Sequence, residues 1–258
     1  MSPDDRVDML KAVDDEIVEE VLPLVPLEER RDIQRLLNYP EGTAGSVMTT
    51  DVASLSETLT VTEAIDVLHD QLEDLETVYY LYIVDEANHL RGLVTFRNMV
   101  ASIARKRSTQ LRDLMETEIM SVNVHDDQEE VANKVARYDL LAIPVVDDER
   151  RLVGIITHDD IIDVVREEAT EDAHRIAAVD PLEAGYLSTS LLTLSWKRGI
   201  WLIVLFVGAL LTALALNQYE DKFQGLPWLV MFIPLVISSG GNSGSQSATL
   251  IITGMSTG

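Results

Sequence analysis

The sequence predicts an α+β fold: two copies of a β-α-β-β-α unit, preceded by an all-α helical remnant and followed by an α-helical transmembrane segment. Three observations carry this. First, the chain repeats itself. Asp85, Gly92 and Thr95 have the same spacing as Asp147, Gly154 and Thr157, and Met48 to Glu63 matches Met115 to Glu130. Second, the charge is lopsided. Of the net −24, residues up to Ser195 carry −25, from 42 acidic and 17 basic residues. Third, Gly199 to Leu216 is a run of 18 residues without a charge, just long enough to cross a bilayer with its flanks.

The elements follow in order. Residues 2–22 read as one amphipathic helix. Ser2 can cap it, Pro3 suits its first turn, and Asp4 and Asp5 favour its positive end. Its expected buried stripe is Leu10, Val13, Ile17 and Val21. Pro23 and Pro26 break it, and Leu27 to Leu37 forms a second helix with Ile33, Leu36 and Leu37 apolar. Two short helices make no core alone, so residues 1–38 read as the end of a larger helical domain cut at its N-terminus. Tyr39 to Gly45 is expected to be a linker.

The first repeat copy occupies residues 39–107 and the second 108–168. Tyr80–Val84 and Ile143–Val146 are short β-rich runs. Leu90–Val94 and Leu152–Ile156 are second strands after charged turns. The offset between copies is 67 residues at the front and 62 at the back, so the first carries five extra residues near His69–Val78.

Residues 169–198 form an acidic linker and a mostly apolar helix, Tyr186–Ser195, at the membrane surface, ending at Trp196-Lys-Arg198. Residues 199–258 are the transmembrane region, with a first span at about 197–218 and an incomplete second at about 224–258. Trp196 and Trp201 suit the interface, and Lys197 and Arg198 place residues 1–195 in the cytoplasm. Pro234 is expected to kink the second span. The ending at Gly258 reads as a truncation.

Several stretches carry candidate chemistry. Asp159, Asp163, Glu167 and Glu171 recur four apart, with Glu168 and Asp172 beside them. On a helix this is a column of like charge, each pair costing about 0.2–0.5 kcal/mol. It is either a solvated face or a place where a divalent cation relieves repulsion. Oxygen-only ligands suit Mg2+ or Ca2+ over zinc. Ser238, Ser239, Asn242, Ser243, Ser245, Gln246 and Ser247, interrupted by Gly240, Gly241 and Gly244, are uncharged polar residues in an apolar segment. They either line a water-filled path or pack helix against helix. Thr157 with Asp160 has the spacing of a helix cap with a first-turn acid; in the first copy Thr95 is followed by Asn98 instead of an acid.

The same residues exclude other classes. With no cysteine, disulfides and thiolate metal sites are ruled out. An acidic surface repels nucleic acid. No nucleophile elbow, H-E-x-x-H or Walker loop is present, which argues against an enzyme.

The repeat resembles the CBS domain, and two in tandem resemble the Bateman pair. Together with Tyr39-Pro-Glu-Gly-Thr-Ala-Gly45, Glu168-Ala-Thr-Glu-Asp172, Ala178-Val-Asp180 and Gly240-Gly-Asn-Ser-Gly-Ser-Gln-Ser-Ala-Thr249, the order of segments resembles the MgtE magnesium channel/transporter family. That resemblance implies a homodimer in the inner (plasma) membrane, multi-pass, in which Mg2+ is both regulator and cargo. It implies Mg2+-sensing carboxylates at Asp4, Asp8, Glu129, Asp139, Asp160, Asp163, Glu168, Glu171 and Asp172, and a plug helix near Tyr186–Arg198. Gly240, Asn242 and Gln246 would line the pore. A weaker implication is nucleotide, ATP in particular, at Thr157 and Asp160. The alternative reading is a membrane-tethered CBS module that senses adenine nucleotides. CBS domains of chloride channels usually follow the membrane part; here they precede it.

Overall fold

The computed structural model of the chain describes residues 2–11, 13–72, 75–103, 108–176, 190–219 and 227–257. It divides into two compact units, Met1–Val165 and Arg166–Gly258.

The first unit opens with α1 (Pro3–Lys11), α2 (Asp15–Val21) and α3 (Leu27–Leu36). The single helix expected over 2–22 is therefore two. Asp14 is extended (φ −62°, ψ 143°) ahead of α2, and an acidic residue there, followed by Asp15 and Glu16, starts a new helix better than it continues an old one. The expected stripe consequently fails beyond Leu10: Val13 is 38% and Ile17 46% exposed. The buried face is Val7 and Leu10 of α1 with Ile33 and Leu36 of α3, while Leu37 is exposed.

Each repeat forms a three-stranded sheet flanked by helices. The first copy is β1 (Ser54–Ser56), α4 (Val61–Gln71), β2 (Tyr80–Val84), β3 (Leu90–Thr95) and α5 (Phe96–Ile103). The second is β4 (Val122–Asn123), α6 (Gln128–Arg137), β5 (Ala142–Val146), β6 (Leu152–Thr157) and α7 (His158–Ile176). In both, the first strand runs parallel to the second and the second antiparallel to the third. The helix caps also repeat. Thr60 and Glu63 form a capping box at α4, and Asp127 accepts hydrogen bonds from the Glu129 and Glu130 amides at α6. Each cap satisfies amides that the first helical turn leaves open.

The leading segments of the two copies are exchanged. Thr49, from the first copy, pairs with Ile155 of β6; Glu116, from the second, pairs with Leu93 of β3. Three cores result. Met48 and Ala44 enter the second copy's core beside Val122, Val131, Ile143, Ile156 and Ile161, together with Val7, Leu10, Ile33 and Leu36. Leu111 is buried in the first copy's core, with Leu114 and Met115 packed against it. Tyr82, Val84, Leu90, Val146, Leu152 and Ile155 form a third core joining the sheets. The N-terminal helices thus share their core with the second repeat. Full burial of a side chain such as Ile33 or Leu36 contributes about 1.5–3 kcal/mol.

The expected linker is packed rather than loose. Ala44, Gly45 and Ser46 are buried, the Ala44 amide donates to Asp126 O (2.8 Å), and the Gly45 amide donates to Val124 O (2.9 Å).

The second unit contains the remainder of α7 and the helices α8 (Leu191–Gln218) and α9 (Pro227–Thr257). Within α8, Gly199–Gln218 has mean hydropathy 2.6 and none of it is buried. A helix apolar on all sides and uncovered by protein is matched to lipid. The first turns of the expected surface helix, from Leu191, are continuous with this span; Tyr186–Thr189 and the Ala178-Val-Asp180 motif lie outside the described residues. α9 is helical through Pro234 for 31 residues, about 46 Å. It is less uniformly apolar, because the polar stretch Ser238 to Ser247 interrupts it.

Candidate functional site

The start of α7 is built by Thr157. This residue is buried and ends β6. Its amide donates to Asp160 Oδ2 (3.2 Å), and its hydroxyl reaches Asp159 Oδ1 (2.6 Å) and Asp160 Oδ2. This is cap geometry, with the acid at the third helical position. In the first copy the Asn98 amide donates to Thr95 Oγ1 (3.2 Å), so the equivalent cap is present without the acid.

Burial pushes the Asp160 carboxyl up to about 7, against the Thr157 hydrogen bonds that lower it; the charges of Asp4 and Asp159 raise it further. Those neighbours show what the fold assembles. α1 packs on the second copy through Val7 and Leu10, in the same cluster as Ile161 and Val164 of α7. Its carboxylates thereby meet those of α7. Asp8 is raised by burial, lowered by Lys11, and raised by Asp4, Asp5 and Asp163. Glu76 is raised by burial and by Asp4, Asp159, Asp5 and Asp51.

Within this cluster Asp4 is only 8% exposed, and its Oδ1 is buried with no hydrogen-bond partner. A buried, unsatisfied carboxylate oxygen costs on the order of 1–3 kcal/mol or more. Lys11 offsets part of the charge by reaching Asp8 at 3.9 Å. Among the described residues, no ion pair includes Asp4, Glu76, Asp159 or Asp160. Nor, among the described residues, do any three His, Cys, Asp or Glu side chains form a group that could hold a metal ion. The donor set fits a hydrated Mg2+, which keeps several waters and is held by one or two carboxylates.

Of the expected carboxylates, Asp4, Asp8, Asp160 and Asp163 come together. Glu129 is in the first turn of α6 and Asp139 lies beyond its end, in the left-handed region at φ 51°. The ten residues of the intervening helix separate them by about 15 Å. Glu168, Glu171 and Asp172 lie along the later turns of α7, half-buried, with Glu171 and Asp172 three and four residues after Glu168, so both neighbour it on one side of the helix. Gly240, Asn242 and Gln246 are exposed on α9; Asn242 and Gln246, four apart, share a face. Glu76 was missed by the sequence reading. The signal for it was the five-residue insertion of the first copy, whose purpose the repeat alone does not give.

The model of the MgtE intracellular N domain matches residues 1–42, and that of the CBS domain matches residues 44–105 and 111–167. The chain is 36% identical over 259 aligned residues to the magnesium transporter MgtE of Thermus thermophilus, covering 99% of this chain and 57% of that protein. The chain belongs to the MgtE family. The MgtE of Enterococcus faecalis is 39% identical, covering 87% of this chain and 48% of that protein. The chain thus spans about half the length of the curated MgtE relatives it matches.

Among solved structures, the soluble part of a magnesium transporter superposes with a TM-score of 0.62 at 41% identity, covering 66% of this chain and 65% of that one. The cytosolic domain of the Mg2+ channel MgtE in complex with ATP gives 0.60 at 37% identity, covering 64% and 66%. The MgtE relatives are named as transporters and not as enzymes, in line with the absence of a catalytic motif.

Proposed function

We propose that this chain contributes the sensing region and membrane helices of a Mg2+ channel or transporter. In this reading residues 1–195 lie in the cytoplasm, the protein is multi-pass in the inner membrane, and two copies assemble. The observation that carries it is the meeting of α1 and α7 carboxylates around Asp4, whose Oδ1 is buried without a partner. Without a cation these segments repel. A hydrated Mg2+ between them relieves the repulsion and holds α1 on the second repeat. The carboxylates at Glu129, Asp139, Glu168, Glu171 and Asp172 are then separate, weaker sites, and α7 carries the change toward the membrane through the connecting plug segment. Closing a pore from mostly open to mostly closed takes a differential of about 5.5 kcal/mol. Several weak sites acting together supply this; one exposed pair does not. High internal Mg2+ would thus close the pore, with Gly240, Asn242 and Gln246 on its lining. Their uncharged oxygens hydrogen-bond the water shell of a passing cation without trapping it.

The test is hydrogen exchange of the full chain in detergent, with and without millimolar Mg2+. Amides of α1 and α7 should gain protection as Mg2+ rises. Unchanged exchange in both helices across the titration would overturn the sensing reading.

A second ligand, adenine nucleotide, is favoured by the repeated caps at Thr95 and Thr157 and by the ATP-bound cytosolic domain to which this chain is similar. Thr157 and Asp160 would face its phosphate and ribose. ATP added without Mg2+ in the same experiment separates the two ligands.

A further inference from the structure

The five extra residues of the first copy remain unexplained by a sensor made only of α1 and α7. They fall near His69–Val78, the segment that also carries Glu76. The Glu76 amide donates to Asp51 O (3.3 Å), which ties the insertion to the first copy's crossing segment. Two residues earlier in that segment, Thr49 exchanges hydrogen bonds with Ile155 (2.8 and 3.0 Å). Ile155 lies two residues before Thr157, the cap that sets Asp159 and Asp160. The insertion is therefore anchored beside the start of α7, on the side where α1 brings Asp4 and Asp5. The charge of Glu76 accordingly interacts with Asp4, Asp159, Asp5 and Asp51.

We propose that Glu76 is an additional carboxylate of the cation site at Asp4 and Asp160, so that one hydrated divalent cation links the N-terminal helices, the first repeat and the second repeat. The inference rests on the sensing reading above and extends it. A cluster of acids alone does not make a site. What points to a ligand here is the Asp4 Oδ1, inaccessible and without a hydrogen-bond partner in a residue 8% exposed. Glu76 is more exposed than Asp4 and suits a contact through one of the waters that Mg2+ retains. Its function is to add the first repeat to what the cation holds. Without it, binding would fasten only α1 to α7.

The decisive signature is a pair of opposite effects. In Mg2+-free buffer Glu76→Gln removes repulsion, so α1 amides should exchange more slowly than in the parent chain. In a Mg2+ titration the same variant should need about ten-fold more Mg2+ to reach half-maximal α1 protection, the lower end for loss of an outer-shell partner. Asp66→Asn, on the exposed face of α4, is the charge control and should leave the midpoint unchanged. Three results overturn the proposal. If Asp4→Asn and Asp160→Asn shift the midpoint but Glu76→Gln does not, the sensing reading stands and Glu76 has no part in it. If Asp66→Asn shifts it equally, the effect is one of overall charge. If the parent chain shows no Mg2+ response, the sensing reading falls and this inference with it.

Discussion

Asp160 is where a single side chain sets a measurable property of the whole region. Its folded carboxyl is pushed up to about 7 by burial, then by Asp4 and Asp159, against an ordinary value of about 3.9. Between about pH 4 and 7 the folded state therefore holds a proton that the unfolded state has released. The sign follows: this group's contribution to stability is full below the ordinary value and is lost as pH rises toward 7. The residue is partly solvated, so screening reduces the effect to about 1–2 kcal/mol, or roughly 5 °C in melting temperature. In Mg2+-free buffer, Asp160→Asn should flatten this part of the stability-pH profile while keeping an oxygen to accept from the Thr157 amide. The comparison is a circular-dichroism melt of both proteins at pH 4.5, 6 and 7.5. Equal slopes would show that Asp160 titrates normally. On the proposed sensing role, Mg2+ competes with the same proton, so its apparent affinity in the parent chain should rise over this pH range. Much of this was readable in advance: the Thr-x-x-Asp spacing gave the cap. The burial was not, because it depends on α1, which is more than 150 residues away in sequence.

At the scale of elements, the strands and helices of the repeats were legible because their signals are local. Alternating β-branched runs, charged turns and capping residues at matching offsets fix β2, β3, β5 and β6 close to their observed ends. The exchange of leading segments was not legible, since nothing in Val47-Met-Thr or Leu114-Met-Glu says which copy's sheet it will pair with. The trace it leaves is a glycine. A Cβ on Gly154 would lie 2.5 Å from Thr49 O and 2.9 Å from Met48 Sδ, and one on Gly92 would lie 2.6 Å from Glu116 O. Met48 can shift its thioether, but the backbone carbonyl of Thr49 is held by its pairing with Ile155. Gly154→Ala should therefore loosen the crossing strand at a cost of about 1–3 kcal/mol. The measurement is hydrogen exchange at the Thr49 and Ile155 amides, which should accelerate together. Acceleration at neither would mean that the crossing segment adapts, and the close approach is then not what selects glycine. The broken N-terminal helix has a comparable lesson. Leu10, Val13, Ile17 and Val21 keep helical spacing, yet periodicity cannot register that Asp14 turns extended between them.

For the whole molecule, the repeat poses a geometric question about assembly. The two copies expose apolar residues at equivalent places on their last helices: Val100 of α5 is 46% and Ile162 of α7 41% exposed, accompanied by Phe96 at 38% and Val165 at 51%. The offset of 62 relates Val100 to Ile162 as it relates Gly92 to Gly154. A surface duplicated about an internal pseudo-symmetry is suited to meeting a second copy through a two-fold axis, since a two-fold interface is self-complementary. These side chains alone supply less than the roughly 800 Å2 per partner that a stable interface needs. In a pairing of this kind they would form the apolar centre of a larger interface. Val100→Glu with Ile162→Glu would place charge in a desolvated centre, where it costs several kcal/mol, whereas the same charges on an exposed helix face cost almost nothing. The doubly substituted chain should retain its circular-dichroism spectrum and, by light scattering in detergent corrected for bound lipid, run at half the parent's protein mass. A parent already at the single-chain mass would refute pairing. A substituted chain that stays dimeric would move the interface away from α5 and α7. If pairing holds, the acidic cluster of each copy sits on a body fixed to its twin, so a cation that draws α1 onto one second repeat acts on a two-fold frame.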